Sequence, residues 1–137
     1  MSIPTNVRYL QRFENYQKAL ALLEIACENP PQSLLEKDGI IHRFEYTFEL
    51  AWKTLQDIAA YRGYDGIVGP RPVIEQSFSD GLIQDGVLWF QMLRDRNETS
   101  HIYDEMVISR ILQDIPEKYV HALVMLEAHI SQYALSS

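Results

Sequence analysis

Apolar residues return at helical spacing along most of the chain. From Val7 to Glu28 they fall at Leu10, Phe13, Tyr16 or Gln17, Leu20, Leu23 and Ala26 or Cys27, with charged residues between. That spacing predicts a first helix, stopped by Pro30-Pro31. A second, long helix is predicted over Ile40 to Tyr61, where Ile41, Phe44, Phe48, Leu55 and Ile58 form a stripe widened by Ala51, Trp52 and Ala59. Gly63, Gly66 and Gly69-Pro70 break the pattern, and Pro72 to Phe78 is expected to form a short turn or helix ending at Asp80-Gly81.

Asp85 is placed to cap a third long helix through Leu88, Trp89, Met92 and Leu93, which should fade near Thr99-Ser100. Asp104 then offers a fresh cap, followed by an apolar face through Val107, Ile108, Ile111, Ile115, Val120, Leu123, Leu126 and Ile130. Pro116 either starts a new helix or kinks one. No alternation long enough for a strand occurs, nor any repeat. The expected fold is all-α, an antiparallel bundle of four to five helices in a single domain spanning residues 1–137.

Composition changes the picture mainly by exclusion. A chain of 137 residues, 47% hydrophobic, suits one continuous core. The formal net charge of −7 disfavours a general nucleic-acid coat protein, since counterion release needs many basic residues along the phosphates. Any RNA contact must therefore be local. The N-terminal residues carry no secretory pattern and no apolar run approaches a membrane span, so a cytoplasmic protein without membrane association is expected. Cys27, the only cysteine, is expected in the core of the first helix.

Most common chemistries find no support. His42, His101, His121 and His129 make no zinc-type spacing, so no metal site is expected. The glycines at 63, 66 and 69 lack the context of a phosphate loop, and no cofactor is implied.

The segment from Arg94 to Glu105 is different. It gathers two arginines, Asn97, Thr99, Ser100, His101 and Tyr103 between apolar helices, a set suited to a phosphodiester. Arginine stays charged and forks two hydrogen bonds to phosphate oxygens, while histidine moves protons near neutral pH. His101 could then withdraw the ribose 2′-OH proton or protonate the leaving 5′-oxygen, and Arg96 could stabilise charge on the phosphoryl oxygens. No metal is needed. Five residues on an unbroken helix correspond to about 140° of rotation, which would point Arg96 and His101 apart. Convergence requires the helix to loosen after Arg96, or a second subunit to supply the partner. Otherwise, charged residues at a helix end are ordinarily solvated or paired.

Arg96, four intervening residues, His101, one residue and Tyr103 match the R-x4-H-x-Y motif of HEPN toxins of the HepT type, and Asn97 fits the polar position after the arginine. The stretch from Arg43 to Lys53, and the one from Gly81 through Trp89 to Asn97, resemble the related nucleotidyltransferase substrate-binding proteins. The resemblance runs from about Tyr9 to His129. It implies a helical homodimer whose two Arg/His motifs share a cleft, acting as a toxin-like endoribonuclease on RNA. It also implies a minimal nucleotidyltransferase partner that acts as antitoxin by transferring AMP from ATP to Tyr103. The alternative it allows is non-catalytic: a nucleotide- or substrate-binding subunit for that nucleotidyltransferase, with Arg96 holding a phosphate and no turnover at His101.

Other residues carry two readings each. Glu45 and Glu49 share a face of the second helix, and one of them can orient Arg96 by a charge-assisted bond. The other reading is a solvated pair, with Lys53 following Glu49 at i+4. Trp52 and Trp89 fall on apolar stripes and are expected to pack helices or fill a subunit interface.

Overall fold

The computed structural model describes residues 5–99 and 104–136. Among them every regular element is helical: α1 (Thr5–Ala26), α2 (Leu34–Tyr61), α3 (Pro70–Ser79), α4 (Gly86–Thr99), α5 (Glu105–Asp114) and α6 (Val120–Ser136). A π-helical turn, Ile115–Tyr119, joins α5 to α6 without a break, so the last three segments form one rod. The described residues thus form five rods, within the four to five helices expected.

Helix ends follow local chemistry. Ser33 caps α2, its Oγ accepting from the Glu36 N–H at 3.1 Å, while Glu36 Oε2 accepts from the Gln32 N–H at 2.5 Å. This cap starts α2 six residues earlier than the expected Ile40. Leu34 and Leu35 in its first turn are 74% and 81% exposed, so no buried stripe announced it. The first helix ends at Ala26 and the third opens at Pro70, small shifts from the expected bounds. Gly63 and Gly81 close α2 and α3 at φ +87° and +83°. In each case the glycine and the residue after it return two N–H groups to the last turn, Tyr64 to Ala59 and Leu82 to Ser77 being the longer loops.

α2 is the central rod, touching α1, α3, α4 and α5. It is accordingly buried on several sides, and its interior hydroxyls are satisfied within the helix: Thr47 and Thr54 each donate at 2.7 Å to the carbonyl four residues back. An aromatic ladder crosses the core, with Tyr119 against Phe44 at 5.3 Å, Phe44 against Phe48 at 6.2 Å and Phe48 against Trp89 at 5.9 Å between ring centres. α1 is fastened on both sides. Arg12 Nε meets Asp57 of α2 at 2.7 Å, and the buried Tyr16 hydroxyl donates to the Leu123 carbonyl of α6 at 2.5 Å. Cys27 is half-buried at the margin of the core rather than within it, and burial pushes its thiol pKa up.

Pro116 stands at the start of the π-helical segment, within a run that continues from α5 into α6. Lacking an N–H, it is absorbed by the widened turn, across which Val120 N–H donates to the Ile115 carbonyl five residues earlier. Tyr119, at the end of that turn, is fully buried.

Two glycines separate backbone strain from space. An added Cβ meets nothing within 4 Å at either Gly39 or Gly81, but only Gly81 has positive φ. Gly39→Ala should stabilise the fold by roughly 0.5–1 kcal/mol through helix propensity. Gly81→Ala should destabilise it by about 1–2 kcal/mol. Urea melts of the two variants moving in the same direction would contradict this assignment.

Candidate functional site

The candidate site lies at the C-terminal half of α4. Trp89 and Met92 mark its buried face, and a further step of three residues arrives at Asp95, which is fully buried. Removing a carboxylate from water costs several kcal/mol unless it is paired and hydrogen-bonded. Here Arg110 of α5 forks onto it, Nη2 to Oδ1 at 2.8 Å and Nη1 to Oδ2 at 3.0 Å. The Tyr119 hydroxyl donates to Oδ2 as well. Around this core, Arg110 also reaches Asp114 at 3.1 Å, and Gln91 Nε2 donates to Tyr119 at 3.0 Å and to Asp114 at 3.3 Å. Burial and the Asp95 carboxylate push the Tyr119 phenol well above its ordinary range, and the Asp95 hydrogen bond raises Arg110 likewise.

One position further round the helix, Arg96 turns toward α2. Its Nη2 lies 3.0 Å from Glu49 Oε2. The same carboxylate accepts from Trp52 Nε1 at 3.0 Å and faces Lys53 at 3.4 Å. Both sequence readings of Glu49 therefore hold together: it pairs with Lys53 and it orients Arg96. Glu45, one turn earlier, accepts from the Thr99 hydroxyl at 3.0 Å, tying down the last turn of α4. Asn97 Oδ1 accepts a long hydrogen bond from Arg96 Nη1 at 3.4 Å. Trp89 lies in the core against Phe48, whereas Trp52 is half-buried and serves as a donor to Glu49.

Arg96 and Asn97 are thus placed, while His101 and Tyr103 lie outside the described residues. The geometry on either side of them still bears on the motif. Asp104 has extended backbone, φ −82° and ψ 116°, and its carboxylate caps α5 by accepting from Met106 at 2.9 Å and Val107 at 3.4 Å. One unbroken helix therefore does not run from Arg96 through Asp104 into α5.

Read from sequence, Asp95 belongs to a charged cluster, and Arg110 and Tyr119 do not stand out. The three-residue step from Met92 is the available signal for Asp95. No local signal points to Arg110 and Tyr119, which come from other segments of the fold.

Beside Asn97, on the α3 side of α4, opens a cavity of about 650 Å³ whose walls include Arg71, Phe90, Gln91 and Arg94. A smaller one, about 260 Å³, lies between the start of α4 and α6 and includes His121, Met125 and His129. Among the described residues no three histidine, cysteine or acidic side chains cluster as a metal site. No helix among them is long and apolar enough to cross a membrane.

Fold and site together define a helical bundle with an arginine-bearing helix end held by carboxylates of its central helix. Residues 11–132 match the family described as nucleotidyltransferase substrate binding protein like, and the chain belongs to that family. The crystal structure of a protein from Thermus thermophilus is similar, with 34% identity and a TM-score of 0.73, covering 81% of this chain and 94% of that one. Among curated proteins, none matches.

The raised Tyr119 pKa gives a pH dependence. A folded pKa above the unfolded value of about 10 means that its stabilisation is complete below pH 10 and lost as pH rises toward the folded value. Thermal melts should therefore fall between about pH 10 and 12, less steeply in Tyr119→Phe. Asp95→Asn at pH 7 should cost roughly 3 kcal/mol. An unchanged melting temperature in that variant would show that the buried carboxylate does not hold α4.

Proposed function

We propose that this chain is a metal-independent endoribonuclease of the HepT toxin type, working as a homodimer and restrained by a partner nucleotidyltransferase. The observation that carries the reading is the Arg96 guanidinium held at 3.0 Å by Glu49, in a chain where His101 and Tyr103 complete the motif. A guanidinium held in place before the substrate arrives avoids an ordering cost when charge builds on the phosphoryl oxygens.

The reaction balances without a metal. The ribose 2′-oxygen attacks phosphorus, the bond to the 5′-oxygen breaks, and a 2′,3′-cyclic phosphate and a 5′-hydroxyl result. His101 takes the 2′-proton or supplies one to the leaving oxygen, and Arg96 stabilises the phosphoryl oxygens, with Asn97 supporting its orientation. The partner enzyme transfers AMP from ATP to the Tyr103 phenol oxygen and releases pyrophosphate. The adduct puts phosphate charge and bulk beside Arg96, where RNA would compete for it.

The family description favours a second reading, in which the chain supplies a nucleotide-binding surface to a nucleotidyltransferase and does not turn over. It uses the same Arg96 contact.

Purified protein should cleave single-stranded RNA in the presence of a chelator. Arg96→Ala and His101→Ala should each lose at least about 100-fold in rate while keeping their helical circular dichroism. Glu49→Gln should lower cleavage with little change in stability, because the pair it breaks is partly exposed. Full activity in both Arg96→Ala and His101→Ala would dismiss the nuclease assignment, and saturable nucleotide binding without cleavage would establish the second reading. Incubation with the partner nucleotidyltransferase and ATP should add one AMP mass, mapped by peptide fragmentation to Tyr103. A modification at any other residue, or none, rules out that mode of restraint.

A further inference from the structure

The cavity between α3 and α4 has features that the Arg96 motif does not use. Phe90, Arg94 and Asn97 succeed one another at i, i+4 and i+7, so they line one face of α4. Across from them Arg71 of α3 lays its guanidinium over the Phe90 ring, 5.0 Å from its centre. Val87, 81% exposed, extends the apolar wall into open solvent. Among the described residues neither Arg71 nor Arg94 forms an ion pair, although Arg12, Arg62, Arg96 and Arg110 all do. On a chain of net charge −7, two such arginines on one groove are a local cationic site.

We infer that the α3–α4 groove is a nucleotide subsite that seats one unit of a single-stranded RNA, next to the unit whose phosphate meets Arg96. The groove supplies what such a unit needs. Val87 and the Phe90 ring, one face of which Arg71 covers, form an apolar wall for a base, the Arg71 and Arg94 guanidiniums can meet phosphate oxygens, and the Asn97 amide can meet a base edge. Its volume of about 650 Å³ lies within the range of small-ligand sites. Glu98 at the rim disfavours a ligand charged on every side and suits one whose base is neutral. Continuity with the motif is physical, because Asn97 lines the groove and accepts from Arg96. The inference rests on the nuclease reading only for the identity of the strand. A free mononucleotide carries the same base and phosphate, and competition by AMP distinguishes the two sources.

The test is fluorescence anisotropy of a short labelled single-stranded RNA with full-length His101→Ala protein, which leaves the strand intact. Arg71→Ala and Arg94→Ala, added singly, should each weaken binding by roughly fivefold and reduce the slope of log affinity against log salt by about 0.7. Arg94→Gln, which keeps a long polar side chain, should behave like Arg94→Ala. Phe90→Ala should weaken binding about tenfold and leave the salt slope unchanged. Thermal melts confirm that each variant is folded. Unchanged affinity and slope in the Arg71→Ala/Arg94→Ala double variant overturn the subsite, as does a failure of His101→Ala protein to bind RNA at all. AMP displacing the strand at equal concentration overturns the assignment to RNA in favour of a free nucleotide. Groove-dependent RNA binding by a wild-type protein that never cleaves removes the nuclease reading and leaves the subsite standing, whereas cleavage with groove-independent binding does the reverse.

Discussion

A carboxylate withdrawn from water is tolerable only where its partners are already in place, and Asp95 is such a group. Two guanidinium N–H bonds from Arg110 and a phenol from Tyr119 replace the water it has lost. Those partners come from α5 and from the π-turn, so α4 cannot rotate or slide along the last rod without stranding a buried charge. The neighbouring position inherits that constraint. With Asp95 directed at the last rod, Arg96 is directed at α2, where Glu49 receives it.

The π-turn matters for the same reason. One extra residue in a helical turn rotates everything after it, and here the turn ends at Tyr119, which stacks on Phe44 and donates to Asp95. An imino acid that would ordinarily disrupt a helix is thereby tied to the placement of α4. Glu45, through Thr99, holds the helix end from the other side. The arginine of the motif is therefore positioned by two helices it does not belong to.

On a chain of net charge −7, the arginines near the end of α4 differ in how far they are paired. Arg96 is partly neutralised by Glu49, which fixes its geometry at the expense of some field strength. Arg94 of α4 and Arg71 of α3 form no ion pair among the described residues, and both line the groove between the two helices. A strand crossing this region would meet strong but local attraction, with repulsion from the remaining surface limiting longer contacts.

Helical periodicity determined much of the architecture: Phe13, Leu20, Phe44, Phe48, Leu55, Trp89, Ile111 and Leu123 all lie in the core where the stripes put them. Caps were equally legible at Asp85, whose carboxylate accepts from Leu88, and at Asp104, because a cap is a bond between residues two or three apart. The start of α2 was not, since Leu34 and Leu35 face solvent and leave no periodic trace. The motif residues from Arg96 to Tyr103 stood out by type and spacing alone. What surrounds them did not: Asp95 meets Arg110 and Tyr119 across 15 and 24 positions, and Thr99 meets Glu45 across 54. Local sequence specifies which faces are apolar and where helices begin. Only the closed bundle decides which polar groups share the low-dielectric space between them, because that depends on contacts between distant segments.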